Sequence, residues 1–420
     1  KGIMIMSHYD LETKCLHSGY TPKKGEPCAL PIYQSTTFKY DTTDEMGQLF
    51  DLKAEGYFYT RLQNPTNDAV AAKIADLEGG VAGLLTSSGQ AANFYAIFNI
   101  CEAGDHVVAA STIYGGTFNL LGVTLKKLGI DCTFVDTDAS AEEIAAAFKP
   151  NTKVLFAETI ANPALVILDI EKFAKVAHEH EVPLIVDNTF ATPINCRPFE
   201  WGADIVTHST TKYMDGHAVQ VGGAIIDSGN FSWSPERYPG MKEYKKYGKF
   251  AYLVKLRNGI WRNMGGCLAP MNAYLNIIGM ETLGLRMERV CNNAFRLAQA
   301  LEKLEGVSVN YPLLESSPYH ELAEKQLSGK GGAILTIRTG SKERAYKLIN
   351  HLKYVKIATN IGDVRTLVIH PASTIYIHST PEAMEEAGVY DDTIRISVGI
   401  EDIKDLIQDF TEAVESLGEE

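Results

Sequence analysis

Short apolar strands alternate with helices through the first half of this 420-residue chain, and this alternation constrains the fold most. The predicted strands at 106–109, 154–157, 184–186 and 205–208 carry consecutive apolar residues rather than one at every second position. Such strands are buried on both faces, as in a parallel sheet that crossover helices cover on both sides. The sequence therefore predicts an α/β fold with a mostly parallel central sheet, in which ligands bind beyond the carboxyl ends of the strands.

One lysine follows directly on such a strand. The strand at 205–208 leads into Ser209, Thr210, Thr211 and Lys212. Burial disfavours the charged ammonium and lowers its pKa, so an amine in this place can become nucleophilic enough to hold a carbonyl compound as an imine. The neighbouring hydroxyls are of the kind that bind a phosphate. A lysine in this place can equally be an ordinary strand-end residue in contact with water, so the rest of the chain must supply the carbonyl partner.

Two further groups of polar residues are predicted to lie at the same edge of the sheet. Asp187 directly follows the strand at 184–186. A carboxylate there either caps the next turn or pairs with a protonated heteroaromatic nitrogen, which pyridoxal phosphate needs in order to act as an electron sink. The turn Thr86 to Gln90 joins a strand to a helix, a geometry that offers free backbone N–H groups to a phosphate. Taken together, these features favour a lysine-bound pyridoxal phosphate.

Charge and cysteine content exclude several classes of protein. The formal net charge is −13 and no Lys/Arg-rich run offsets it, so nucleic acid and anionic membranes would be repelled. No apolar run reaches the roughly 18 residues of a membrane span. The seven cysteines are scattered without a Cys-x-x-Cys pair, which indicates neither a disulfide framework nor a zinc site. We expect a cytoplasmic protein that binds no metal.

The pattern of elements divides the chain into three parts. Residues 1–62 contain several prolines and no long amphipathic period, so we predict an extended N-terminal arm that contacts a neighbouring subunit. Residues 63–270 carry the strand–helix alternation and are predicted to form a large cofactor-binding domain. Residues 271–420 show further strand and helix patterns and are predicted to form a smaller α/β domain.

Six motifs, in chain order, carry a resemblance to a known family: Tyr59 to Thr66, Ser87 to Gln90, Tyr114 to Thr117, Asp187 to Thr189, Ser209 to Tyr213 and Arg395 to Gly399. Through these motifs the chain resembles, over nearly its whole length, the Cys/Met-metabolism family of fold-type I pyridoxal-phosphate enzymes. The resemblance implies an aspartate-aminotransferase-like transferase fold and pyridoxal 5'-phosphate as the cofactor.

The resemblance also implies the roles of individual residues. Lys212 would carry the cofactor, Asp187 would pair with the ring nitrogen, and Tyr114 would stack on the ring and assist the proton transfers. The other implied cofactor-binding residues are Ser88, Gly89, Gln90, Asn162, Ser209 and Thr211. Tyr59 and Arg61 would reach the phosphate of the adjacent subunit's cofactor, which implies an obligate dimer as half of a homotetramer.

Three residues are expected to bind the substrate. Arg395 interrupts the apolar strand at 394–398, where a charge is costly unless it is paired. A substrate α-carboxylate is the expected partner, with Ser373 assisting. Asn360 is expected on the same side of the pocket.

Peripheral motifs favour one reaction within the family. Asn360 to Asp363, His370 to Thr374 and Leu268 to Ala273 resemble O-acetylhomoserine sulfhydrylases. The implied reaction is a γ-replacement that converts O-acetyl-L-homoserine and sulfide into L-homocysteine and acetate, in methionine biosynthesis. One stretch departs from the sulfhydrylases: after Thr374 they tend to continue Thr-His-Ser-Gln, whereas this chain has Ile375 to His378.

The sequence leaves alternatives open. Within the same cofactor class, the chain could be a methionine or cystathionine γ-lyase, or a cystathionine γ-synthase. A different class would be a catalytically silent binding protein on the same fold. The sulfur could arrive as free sulfide, as a thiol or from a sulfur-carrier protein, and the sequence does not distinguish an acetyl from a succinyl donor.

Overall fold

The computed structural model describes residues 8–51 and 53–418 and contains two β-sheets within them. The strands of the first sheet are β1 (Ala82–Thr86), β2 (His106–Ala110), β3 (Asp131–Val135), β4 (Thr152–Glu158), β5 (Leu184–Asp187), β6 (Ile205–His208) and β7 (Gly223–Asp227). The second sheet is formed by β8 (Ser308–Asn310), β9 (Ile334–Arg338), β10 (Lys356–Ile357), β11 (Leu367–Ile369) and β12 (Thr393–Ser397). The first sheet corresponds to the predicted central sheet.

The first sheet is mostly parallel, as predicted. Its strand order is β1-β7-β6-β5-β4-β2-β3. Strands β6, β5, β4, β2 and β3 run parallel to one another. Strands β7 and β1 close one side with antiparallel pairing. The sequence interpretation missed β7, because this short strand starts at a glycine and follows β6 without a helix between them. The parallel arrangement brings the ends of β4, β5 and β6 to one edge.

Two short helices lie within the predicted N-terminal arm, whose role as an arm on a neighbouring subunit stays a prediction. Helix α1 (Leu11–His17) packs on its own chain, and the buried ammonium of Lys73 donates hydrogen bonds to the carbonyl oxygens of Cys15 and Leu16. Helix α2 (Thr43–Phe50) begins with a capping box between Thr42 and Glu45. Residues 1–7 and 52 of the predicted arm lie outside the described residues.

Helices cover both sheets. Those associated with the first sheet are α3 (Pro65–Glu78), α4 (Gly89–Phe98), α5 (Gly115–Asn119), α6 (Ala141–Ala146), α7 (Ile170–Glu179), α8 (Thr192–Asn195), α9 (Ala251–Leu256) and α10 (Arg262–Met264). The remaining helices are α11 (Pro270–Glu281), α12 (Leu283–Leu301), α13 (His320–Gln326), α14 (Lys342–His351), α15 (Pro381–Glu386) and α16 (Ile403–Glu415). In the part of the chain that the structure describes, no helix is long and apolar enough to cross a membrane.

One predicted helix is interrupted. The strand–helix pattern of the sequence predicts a single helix over residues 117–128, but α5 ends at Asn119, and the chain continues as a π-helical turn and then a 3₁₀ turn. Gly122 and the β-branched residues Val123 and Thr124 lie in the π-helical turn, and these residue types have low helix propensity. The break leaves α5 as a short helix that begins beside the polar edge of the first sheet. The predicted domain boundaries at residues 62 and 270 stay predictions.

Candidate active site

A cavity of about 400 Å³ lies at the carboxyl ends of β4, β5 and β6 and reaches toward the second sheet. It is the place where a ligand of an open parallel sheet is expected. The predicted residues that line it are Ser88, Gly89, Gln90, Tyr114, Asn162, Asp187, Ser209, Thr211, Lys212 and Arg395. The other lining residues are Asn93, Glu158, Ile160, Thr189, Phe190, Val221, Thr359, Ile361 and Ile375. The structure therefore brings ten of the predicted site residues together around one cavity.

Lys212 follows β6 and projects its amine toward the second sheet. Its Nζ donates a hydrogen bond of 2.7 Å to Oδ1 of Asn360. Burial, and to a lesser extent the positive charge of Arg395, lowers the pKa of this amine to about 8. An amine with this pKa is partly uncharged near neutral pH, so it can act as a nucleophile or accept a proton.

The lowered pKa predicts unusual reactivity of Lys212 in the cofactor-free protein. At pH 8 about half of the Lys212 amines should be uncharged, about a hundredfold more than for an ordinary lysine. Amine-labelling rates measured by peptide mass spectrometry between pH 6 and 10 should show the midpoint for Lys212 near 8, with exposed Lys175 as the internal reference. Replacing Arg395 with Gln should move the midpoint upward. A midpoint above 10 in the wild type would contradict the predicted burial of the amine.

Asp187 lies at the end of β5 with both oxygens engaged. Its Oδ2 accepts a hydrogen bond of 3.1 Å from Nδ2 of Asn93, and its Oδ1 accepts one of 2.5 Å from the Thr189 hydroxyl. The Thr189 amide donates to the same oxygen at 3.0 Å. Asn93 is itself oriented by the hydroxyl of Thr207, which donates to its Oδ1 at 2.6 Å. These hydrogen bonds orient the Asp187 carboxyl group at the cavity, where a carboxylate can pair with a protonated ring nitrogen.

Helix α4 points its N-terminus into the cavity. Ser88 is its N-cap, and the side chain accepts a hydrogen bond from the Ala91 amide. The amides of Gly89 and Gln90 start the helix and therefore have no carbonyl one turn earlier to bind. Gly89 approaches Ser209 so closely that a Cβ there would lie 2.6 Å from the Ser209 Cβ. The amides of Gly89 and Gln90 and the hydroxyls of Ser209 and Thr211 thus form a cradle that requires a glycine at position 89. This cradle suits a phosphate.

Tyr114 stands at the start of α5 with its ring about half exposed to the cavity. The ring lies against Gly116, where a Cβ would come within 2.5 Å of the Tyr114 Cε1 atom. The backbone amide of Tyr114 donates a hydrogen bond of 2.8 Å to Oε1 of Glu158, at the end of β4. The position of Tyr114 is therefore set by the hydrogen bond from its amide to Glu158 and by the contact of its ring with Gly116.

Arg395 is buried on β12 and reaches the cavity from the second sheet. Its Nη1 donates to Oδ1 of Asn162 at 3.2 Å, and its Nη2 donates to the carbonyl oxygen of Asn360 at 3.1 Å. The Nε atom is buried and has no hydrogen-bond partner in the described part of the chain. Burial lowers the pKa of the guanidinium to about 10, which leaves it charged at neutral pH. A buried cation with an unused donor is suited to an anionic ligand group.

The structure places two predicted substrate residues outside the cavity lining. Asn360 reaches it indirectly, through its contacts with Lys212 and Arg395. Ser373 is turned away: its hydroxyl is 2.9 Å from Nδ1 of His370, whose other ring nitrogen is 2.7 Å from the carbonyl oxygen of Asp391. The same turn brings the side chain of Ile375 into the lining instead.

Tyr59 and Arg61 do not line the cavity of their own chain. The Arg61 guanidinium lies 5.4 Å from the centre of the Tyr59 ring and donates a hydrogen bond of 2.6 Å to the carbonyl oxygen of Arg262. Tyr59 is partly exposed. Their position away from this cavity agrees with a role in another subunit, which stays a prediction.

Sequence reasoning gave no role to Asn93, Glu158 and Thr189, although all three line the cavity. Glu158 is the last residue of β4 and Thr189 lies two residues after β5, so both carry the strand-end signal that singled out Asp187 and Lys212. Asn93 lies inside α4, one turn after the cradle, where the sequence shows an ordinary helical residue. Its contact with Asp187 depends on how α4 crosses the sheet, which periodicity does not reveal.

Comparisons with known proteins agree with this geometry. The chain matches the model of the Cys/Met metabolism PLP-dependent enzyme family over residues 12–415. It is 42% identical to O-acetyl-L-homoserine sulfhydrylase 1 of Thermus thermophilus, over 96% of this chain and 99% of that protein. It is 43% identical to a homocysteine synthase of Schizosaccharomyces pombe, over 96% of this chain and 98% of that protein.

A solved structure gives the same result. It is a Campylobacter jejuni protein proposed to be an O-acetylhomoserine (thiol)-lyase, and it carries N'-pyridoxyl-lysine-5'-monophosphate. The two chains superpose with a TM-score of 0.92 at 34% identity, over 97% of this chain and 100% of that one. This chain therefore belongs to the Cys/Met metabolism family of pyridoxal-phosphate-dependent enzymes. The predicted fold class and cofactor are confirmed.

Proposed function

We propose that the chain catalyses γ-replacement on O-acetyl-L-homoserine, with sulfide as the second substrate and L-homocysteine and acetate as products. The observation that carries the proposal is the position of the Lys212 amine in the cavity, where it binds Asn360, a residue that also contacts the buried guanidinium of Arg395. An amine base and a carboxylate site are thus next to each other, as an amino-acid substrate requires. The names of the full-length relatives specify the substrate and product within that chemistry.

The residues around the cavity fit pyridoxal phosphate. We propose that the phosphate binds the amides of Gly89 and Gln90 together with the hydroxyls of Ser209 and Thr211. The lack of space for a side chain at Gly89 is consistent with a close approach of a ligand to the backbone. Ser88 orients this turn by capping α4.

Three residues are proposed to hold the ring of the cofactor. Asp187, oriented by Asn93 and Thr189, pairs with the ring nitrogen. Tyr114 stacks on the ring from the α5 side. Asn162, which lines the cavity and accepts a hydrogen bond from Arg395 through Oδ1, binds the phenolic oxygen. When bound through Lys212, the cofactor supplies an electron sink for the carbon atoms of the substrate.

Lys212 is proposed to move protons once the substrate's amino group has taken its place on the cofactor. Its amine takes a proton from Cα of the substrate and transfers protons at Cβ, which is possible near neutral pH because its pKa is close to 8. Asn360 holds the amine at 2.7 Å and so fixes its direction. Tyr114 is proposed to assist these transfers. Acetate leaves from Cγ, and the sulfur atom forms its bond to the same carbon.

Arg395 is proposed to bind the α-carboxylate of the substrate. Its Nε is an unused buried donor, and a carboxylate would satisfy it with a charge-assisted hydrogen bond. Ser373 was expected to share this role, but its hydroxyl is engaged with His370. We propose instead that Ser373 shapes the turn that presents Ile375 to the cavity.

We propose that two copies of the chain share active sites and that two such dimers form a tetramer. Tyr59 and Arg61 lie outside their own cavity and can serve the cavity of another copy. On α11, Met271 and Ile278 are about half exposed and seven residues apart, so they lie on one face of the helix. Leu285, at the start of α12, adds to the exposed apolar surface, which is typical of a subunit contact.

The place of action and the source of sulfur are further proposals. We propose a cytoplasmic enzyme, in keeping with seven cysteines that are all free. A small-molecule sulfur donor fits the size of the cavity, and a sulfur-carrier protein is the alternative. Exposed Val219 and Val221, the second of which lines the cavity, offer an apolar surface near the opening.

Product analysis tests the proposed reaction. The purified holoenzyme is given O-acetyl-L-homoserine or O-succinyl-L-homoserine, each with sulfide, with a thiol and with neither. Homocysteine should be the main product of the acetyl donor with sulfide. 2-Oxobutyrate and ammonia as main products would point to a γ-lyase, and cystathionine formed from the succinyl donor and cysteine would point to a cystathionine γ-synthase. No product under any condition would favour a silent binding protein.

A further inference from the structure

Glu158 lines the cavity but has no part in the chemistry proposed above. It ends β4, and its register partner at the end of β5 is Asp187. In the described part of the chain, no lysine, arginine or histidine forms an ion pair with it, and its hydrogen bond comes from the Tyr114 amide. Two neighbouring carboxylates repel each other when both are ionised. Asp187 accepts three hydrogen bonds and Glu158 accepts one, so Glu158 is the member of the pair that we expect to be neutral.

The hydrogen bond to Tyr114 links two parts of the cavity wall. Tyr114 lies 44 positions before Glu158 in the chain, in the loop that leads into α5. Its amide precedes the helix and has no carbonyl one turn earlier to bind, so Glu158 supplies the acceptor. With Gly116 leaving room for the ring on the other side, this bond fixes where the aromatic ring lies over the cavity.

We propose that Glu158 is a positioning residue that holds Tyr114 in place through the Tyr114 backbone amide, and that it does so as a neutral acid. The importance of this position for catalysis rests on the proposed function. The hydrogen bond itself is a feature of the fold and does not rest on that function.

The groups facing Glu158 support its neutral form. They come from three elements: Asp187 on β5, Tyr114 before α5, and Tyr376 in the turn after β11. Burial raises the pKa of Glu158 well above its usual value, and the charge of Asp187 raises it further. Burial is the main cause that raises the pKa of Tyr376 to about 12, so Tyr376 faces Glu158 as an uncharged phenol. Arg395 stabilises the charged form of Tyr376 but is paired with Asn162 and Asn360 rather than with Glu158.

Two substitutions separate a positioning role from an acid–base role. Glu158→Gln keeps a neutral acceptor of the same shape but cannot exchange a proton with the substrate. Glu158→Ala removes the acceptor. If Glu158 is a neutral positioning residue, Glu158→Gln should behave like the wild type. If Glu158 is an acid–base residue, Glu158→Gln should behave like Glu158→Ala.

Amide hydrogen exchange tests the proposal without relying on activity. In the holoenzyme and the cofactor-free protein, the peptide containing Tyr114 should exchange about five- to tenfold faster in Glu158→Ala, since one hydrogen bond is lost. In Glu158→Gln the rate should match the wild type, as it should in the control Glu179→Ala, which removes an exposed glutamate of α7. Unchanged exchange in Glu158→Ala would overturn the proposal.

Kinetics and infrared spectroscopy give a second reading. For kcat/KM between pH 6 and 9, Glu158→Gln should stay within about threefold of the wild type, while Glu158→Ala should fall by about tenfold or more. The difference spectrum between the wild type and Glu158→Gln at pH 7 should contain the carbonyl stretch of one protonated carboxyl, because other buried carboxyls such as Asp227 contribute equally to both proteins. The neutral-acid role would be overturned if the pH profile of kcat/KM lost one limb in Glu158→Gln. It would also be overturned if the carboxyl group of Glu158 were ionised in the wild type at pH 7. If the wild type makes no homocysteine, the proposed function fails while the exchange comparison still stands.

Discussion

Lys212→Ala should lose homocysteine synthesis by at least about 10³-fold in kcat, since one residue supplies both the covalent attachment of the cofactor and the proton transfers. The variant should also lose the absorption band of the lysine-bound cofactor. It should still bind some pyridoxal phosphate, because the Gly89 cradle and Asp187 do not depend on Lys212. Absorption spectra after dialysis and steady-state rates measure the two effects.

Matched variants keep this prediction specific. Lys175→Ala removes an exposed lysine of α7 and should leave both the spectrum and the rate unchanged. Lys212→Arg keeps a positive charge in the same place but should be as inactive as Lys212→Ala, since a guanidinium is not a nucleophile at neutral pH. Retention of the lysine-bound spectrum in Lys212→Ala would mean that another lysine carries the cofactor.

Arg395→Leu should raise KM for O-acetyl-L-homoserine and lower kcat/KM by about 10²- to 10³-fold, because hydrogen bonds from a charged donor contribute about 1.5–3 kcal/mol each. Arg395→Lys should recover part of this loss, since it keeps the charge without the planar fork. The control Arg296→Leu removes an exposed arginine of α12. Initial rates over a range of substrate concentrations give both parameters.

A substrate analogue identifies the group that Arg395 recognises. The α-carboxamide of O-acetyl-L-homoserine lacks the negative charge. Wild type and Arg395→Leu should use it at similar rates if the carboxylate is the partner of the guanidinium. The wild type could instead be faster than Arg395→Leu by the same factor with the carboxamide as with O-acetyl-L-homoserine. That result would show that Arg395 acts through Asn162 or Asn360 and not on the carboxylate.

The sequence was sufficient to predict the sheet and most of the cavity. Consecutive apolar strands indicate a parallel sheet, and parallel strands end at one edge, so polar residues that follow strands come together there. Asp187 and Lys212 were found in this way. Arg395 was recognised as a charge within an apolar strand of the second sheet, and the fold brings that strand to the same cavity.

The sequence failed where side-chain direction or tertiary packing decides the outcome. The motif around Ser373 suggested a substrate contact, but the local turn pairs its hydroxyl with His370 and presents Ile375 instead. Asn93 shows nothing unusual in a helix until the helix crosses Asp187. The capping box at Thr42 and Glu45 was a readable helix signal, and prolines elsewhere in the arm obscured it.

Borohydride reduction followed by peptide mapping tests most directly whether Lys212 carries the cofactor. The purified holoenzyme is reduced and digested, and the peptides are analysed by mass spectrometry for a lysine bearing the pyridoxyl phosphate group. We expect a single modified lysine, Lys212, and no modified peptide from Lys212→Ala. Modification of a different lysine, or a wild-type holoenzyme without any modified lysine, would contradict the role assigned to Lys212.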